Sequence, residues 1–149
     1  MIKFKYSIFL FAILFGSCRV SKEVSSAEDL NDAIPNLIIQ DNYKPAKDNG
    51  LFKIIKVNVN NDILTIYLQY SGGCKEHEFK LYTNKNYSKS NPPKLNLSLE
   101  HNTNQDFCKS IVLDTLVFDI SKAKYPGKDK KYTVILILDG YPKEISYKY

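Results

Sequence analysis

Cys74, His77, His101 and Cys108 are the side chains of this sequence best equipped for chemistry. Two of them fall in the stretch Ser71-Gly72-Gly73-Cys74-Lys75-Glu76-His77-Glu78-Phe79, and His101 and Cys108 form a distant echo. Two thiols and two imidazoles admit three arrangements. Cys74 and Cys108 can close a disulfide around a loop of about 35 residues, with the histidines packed beside it. All four can form a Cys₂His₂ centre, for which zinc is the natural tetrahedral guest. A disulfide can also coexist with a weak two-histidine metal or ligand site. The spacings C-x-x-H and H-x₆-C are looser than those of a zinc finger. A copper(I) carrier is disfavoured because Met1 is the only methionine. A Cys–His nucleophile would need a thiolate and an oxyanion site, and no motif here supplies either. The sequence contains no Gly-rich phosphate loop, no G-x-S-x-G and no H-E-x-x-H, so the expectation is a non-enzyme with no cofactor.

Strands must bring these residues together. From Leu51 onward apolar residues recur with a period of two. Strands are predicted at Phe52–Asn60, Ile63–Tyr70, His77–Thr83, Leu95–His101, Ile111–Ile120, Tyr132–Leu138 and Ile145–Tyr149, with a first edge strand within Asn36–Gln40. Asn-Asn, Gly-Gly, Asn-Pro-Pro, Tyr-Pro-Gly and Asp-Gly-Tyr-Pro separate them as turn chemistry. Seven or eight short strands predict an all-β chain, an antiparallel β-sandwich of immunoglobulin-like size.

Register arithmetic then locates the cluster. A loop at Asn60-Asn61 sets Val57 against Leu64 and Ile55 against Ile66. A loop at Gly140-Tyr141 sets Leu136 against Ile145 and Val134 against Tyr147. Pairing the strands on either side of 84–94 sets Leu81 opposite Leu97, Phe79 opposite Leu99 and His77 opposite His101. Opposed Cβ atoms lie ~5 Å apart. The histidines should therefore meet at one end of the core, with both cysteines just beyond. Asp106, Asp114 and Asp119 have no calcium-loop spacing, and Asp119 is expected to cap a turn at a strand end. Tyr82, Tyr87, Tyr125 and Tyr141 could line a binding surface or simply cover a sheet face.

The 149 residues suffice for one domain with a real core. Composition is 44% hydrophobic, 25% charged and 13% aromatic, ordinary for a globular protein with a lean towards β structure. The net charge of +5 falls to about +3 if Lys3 and Lys5 leave with a leader. The basic residues are dispersed, which excludes a concentrated nucleic-acid face.

Such a leader is present in the sequence. Met1–Tyr6 carries two lysines and no acid, and Ser7–Phe15 is almost wholly apolar. This reads as a secretory signal, too short for a ~20-residue membrane helix. It ends in Leu14-Phe15-Gly16-Ser17-Cys18, which resembles the lipobox of bacterial lipoproteins, with Phe15 departing from the preferred small or aliphatic residue. That resemblance implies cleavage after residue 17, acylation of Cys18 and anchoring in a lipid bilayer. Arg19 after the cysteine points to the outer membrane, facing the periplasm or the surface. Residues 1–17 are then a signal peptide, 18–33 a lipidated tether with a short helix at Ala27–Ala33 before Pro35, and 34–149 the β-domain. Export to an oxidising compartment favours the disulfide over the metal centre.

The pattern Gly-Gly-Cys-x-x-His-x-Phe-x-Leu, then a His and Asp-x-Cys before a Phe-Asp strand, spans Tyr70 to Ser121. It is similar to small bacterial lipoproteins, a resemblance that implies no established activity. The expected protein is an envelope module that binds or supports another envelope component.

Overall fold

The computed structural model describes residues 34–44, 50–128 and 131–149. The leader, Cys18, the tether and the expected short helix lie outside the described residues. Eight strands follow one another: β1 (Ile38–Ile39), β2 (Phe52–Asn60), β3 (Ile63–Gly72), β4 (Glu78–Thr83), β5 (Lys94–Asn102), β6 (Ser110–Asp119), β7 (Thr133–Leu138) and β8 (Ile145–Lys148). A single 3-10 turn, Ser121–Ala123, is the only helical element among the described residues. The strands form two sheets, ordered β1-β4-β5-β7-β8 and β2-β3-β6. The β-sandwich expected from the alternation is what forms.

Alternation dictates the core. Leu64, Ile66 and Leu68 of β3 point inward against Leu95, Leu97 and Leu99 of β5 and Val134, Leu136 and Leu138 of β7, all buried. Leu37, Phe118 and Tyr147 are buried in the same cluster. Removing these side chains from water supplies the main driving force, ~1.5–3 kcal/mol each.

The pairing is not wholly antiparallel. β1 runs parallel to β4, and β5 parallel to β7. After β5 the chain crosses to the other sheet to make β6, so it returns to β7 in the direction of β5. A hydrophobic pattern with period two carries no information about such crossings.

Two expected registers also change. β2 and β3 turn at Asn61-Asp62, so Val57 faces Ile66 and Val59 faces Leu64. Asn61 tolerates its φ of 51° at this corner. A bulge lies between Ile54 and Lys56, so Ile55 is unpaired with Ile66 and half exposed to solvent. In the β4–β5 pair Leu81 faces Leu99 and Phe79 faces His101, two residues along from the expected alignment. The 84–93 connection is not a tight turn and so does not set the register; the hydrogen bond from Thr83 Oγ1 to Asn96 O at 2.8 Å and the Tyr87–Leu95 bridge hold it. The β7–β8 register is as expected, Leu136 on Ile145 and Val134 on Tyr147. Its turn is centred on Asp139-Gly140, with Tyr141 N donating to Leu138 O and Gly140 at φ 78°.

Candidate functional site: a stapled, buried Asp–His–His chain

Gly72 ends β3 and is buried, and Gly73 at φ 106° swings the chain out of the sheet. Cys74 thus reaches the 103–108 loop that leaves β5, where it forms a disulfide with Cys108, Cα atoms 5.9 Å apart. A Cβ at residue 72 would lie 2.7 Å from His77 Cε1 and Nε2, so only glycine admits the imidazole there.

Asp106 ties the two segments together beneath the bridge. Its Oδ2 accepts from the backbone N–H groups of Cys74 and Lys75, both at 2.9 Å, and its Oδ1 accepts from Cys108 N at 2.9 Å. Lys75 Nζ donates to Asn104 O and Gln105 O, and Asn104 Nδ2 donates to Glu76 O. The Cys108 amide, followed by those of Lys75 and Cys74 and the His77 ring, holds the Asp106 carboxyl far below the ordinary carboxylate range, against the opposing pull of desolvation.

The histidines continue the chain inward. His77 Nε2 lies 3.3 Å from Asp106 Oδ2, both side chains essentially sealed from solvent. An ionised carboxylate only accepts, so Nε2 carries the proton of that contact. His77 Nδ1 is then left to accept, and it meets His101 Nε2 at 2.7 Å. Burial is the largest influence on His101 and pushes its pKa below the ordinary value; the Gly50 backbone opposes this and His77 adds to it. Aromatic rings wall in the pair. Phe79 stacks on His101 at 4.2 Å, Tyr70 stacks on His77 at 4.5 Å, and Phe52 meets His101 edge-on at 5.8 Å.

The four residues singled out by type and spacing therefore do converge, though through a different register. His77 sits one step before β4 and reaches His101 diagonally rather than directly across. Sequence reasoning considered Asp106 only as a calcium ligand and set it aside. Its real signal was its place two residues before Cys108, the Asx-turn position from which Oδ1 takes the Cys108 amide. The Cys₂His₂ arrangement is not the one present: the two sulfurs are bonded to each other, and the ring nitrogens at 2.7 Å leave no room for an ion between them. Asp119 Oδ1 accepts from Ser121 N at 2.7 Å, the turn cap expected of it. Among the tyrosines, Tyr82 stacks on Tyr43, and Tyr87 packs on Tyr125 while donating to Lys124 O.

Fold and site together define a small β-sandwich whose polar cluster is built into its frame by a disulfide. The chain belongs to the family of the NigD-like C-terminal beta sandwich domain, whose model matches residues 38–148. Similar solved structures include three from Bacteroides and Parabacteroides. A NigD-like immunity protein from Bacteroides caccae has 16% identity and a TM-score of 0.52, over 74% of this chain and 58% of its own. A "Putative TOXIN related protein" from Parabacteroides distasonis has 20% identity and a TM-score of 0.49, over 78% of this chain and 61% of its own. A "Putative lipoprotein" from Bacteroides fragilis has 12% identity and a TM-score of 0.44, over 77% and 68%. The chain spans about three-fifths of the length of the first two. No curated protein matches the sequence.

Proposed function

We propose that this chain is an envelope lipoprotein, anchored in the outer membrane through acylated Cys18, whose sandwich is a non-enzymatic binding or structural module. One observation carries the reading: the Cys74–Cys108 bridge and Asp106 commit both thiols and the carboxylate of the cluster to holding two segments together. A stable disulfide suits an exported protein, in keeping with the leader-like N-terminus. The sealed His77 and Asp106 side chains offer a substrate neither a base nor a nucleophile. The fold shared with a NigD-like immunity protein suits a module that works by binding.

The test is expression of wild-type and Cys18→Ser chains in the native host. Wild-type protein should sediment with outer membranes and carry an acyl mass increment, while Cys18→Ser should be soluble. A membrane-bound Cys18→Ser chain would overturn the anchor. A second reading is a zinc-type centre drawing on Cys74, His77, His101 and Cys108; the ligand atoms that gather within 4.8 Å of one another are those of Cys74, Asp106 and Cys108, the two cysteines being joined by the bridge. It requires the bridge to be open. Thiol titration of native protein alongside metal analysis separates the two: reactive thiols with stoichiometric zinc would replace the first reading.

A further inference from the structure

The outer face of the β2-β3-β6 sheet is unusually apolar. Leu51, Ile55, Ile111 and Leu113 are 91%, 52%, 75% and 71% exposed. Cross-strand register puts them on one surface: Lys53 pairs with Gln69, Gln69 with Leu113, and Ser71 with Ile111. The surface is grooved rather than flat. One hollow lies among Leu51, Lys53, Gln69 and Ile111, and a second among Ile55, Lys56, Tyr67 and Leu113. The bulge shapes the second, since it sets two consecutive residues, Ile55 and Lys56, beside the same hollow.

The two hollows have the same make-up, an aliphatic residue from β2 or the position just before it, another from β6, and a lysine at the side. Ile111 and Leu113 are two residues apart in one strand, so the hollows repeat at about 7 Å. Asp114 lines the second hollow but pairs with inward-facing Leu68, and its carboxylate accepts from Tyr70 Oη and Thr115 N. Among the described residues lining the hollows, Lys53 and Lys56 are the charges on offer, with Lys56 lying over the Tyr67 ring. A bilayer presents no side chains spaced to match the two hollows. A second copy placed face to face would bring only the same two lysines and an Asp114 already bonded to Tyr70 and Thr115. A segment bearing aliphatic side chains with carboxylates beside them satisfies both features.

We propose that this face is the docking surface of the module, and that its partner is an extended protein segment presenting aliphatic side chains at i and i+2 flanked by carboxylates. The inference rests on the binding-module reading and names the surface that reading requires.

The test is an NMR titration of the full mature chain carrying Cys18→Ser. The probes are two synthetic peptides that share a Leu-Thr-Leu centre, one flanked by glutamates and one by lysines. The acidic peptide should shift Lys53, Ile55, Lys56, Ile111 and Leu113 and bind about tenfold tighter than the basic one. Leu113→Asp should abolish binding, and Lys53→Glu with Lys56→Glu should reverse the preference; melting curves check that these exposed variants fold. Equal affinity, no binding up to about 1 mM, or shifts confined to the other sheet would overturn the proposal. So would anionic phospholipid vesicles, or self-association, using the same residues instead. A photo-crosslinking residue at position 113, and separately at 146 on β8, distinguishes the levels in cells. Adducts to an acidic, aliphatic segment from 113 support the face. Adducts from 146 alone would overturn this face while leaving the binding module standing.

Discussion

Asp106 is a carboxylate whose side chain is almost sealed from water, and it persists there because three backbone amides and one imidazole meet it. Asp106→Ala should orphan those donors and lower Tm by several degrees, read by thermal melting with the disulfide intact. His77→Ala removes a ring bonded at both nitrogens and should cost ~2 kcal/mol in urea unfolding. The same groups set an acid limit. Asp106 has a depressed folded pKa, so its stabilisation is complete above the ordinary carboxylate value, near 4, and is lost as pH falls towards the folded value. His101 is also depressed, so the unfolded chain takes its proton first and stability begins to fall below about 6.5. Melting temperature measured from pH 8 downward should decline in two stages. His101→Phe should remove the upper stage and Asp106→Ala the lower.

At the scale of elements, the bridge links two segments 34 residues apart across the β4–β5 hairpin. Closing a loop of that length is worth about 3–4 kcal/mol in the chain-entropy picture. Cys74→Ser with Cys108→Ser should lose close to that in equilibrium unfolding, and reduction of the wild-type chain should match the double variant. Gly72 is the more sensitive probe of the cluster. Gly72→Ala would drive a methyl into the His77 ring and should cost ~1–3 kcal/mol even though it adds one carbon. A neutral outcome on melting would mean that His77 can move away without loss.

At the scale of the molecule, the two sheets share one core, and Leu97 lies wholly buried within it on β5, the middle strand of the larger sheet. Leu97→Ala should destabilise by ~2–5 kcal/mol in denaturant unfolding. The exposed Leu113→Asp, by contrast, should leave stability nearly unchanged.

Strand positions were legible along the chain because side chains alternate faces, and a period of two survives any topology. The meeting of His77 with His101 was legible for the same reason. Its register was two residues off, and an even slip keeps every side chain on its face. The Ile55 bulge was not legible, since an inserted residue among Lys, Ile and Val disturbs no composition signal. Nor were the parallel β1–β4 and β5–β7 pairs, which depend on the order in which the chain crosses between sheets. Asp106 lay in plain view before Cys108, but its partners at Cys74, Lys75 and His77 are about thirty residues away. Local pattern alone determined a β-domain with Cys74, Cys108 and two histidines at one end of its core. Only the tertiary structure decided what they became, because the carboxylate that joins bridge to histidines is brought to them by loop geometry rather than by periodicity.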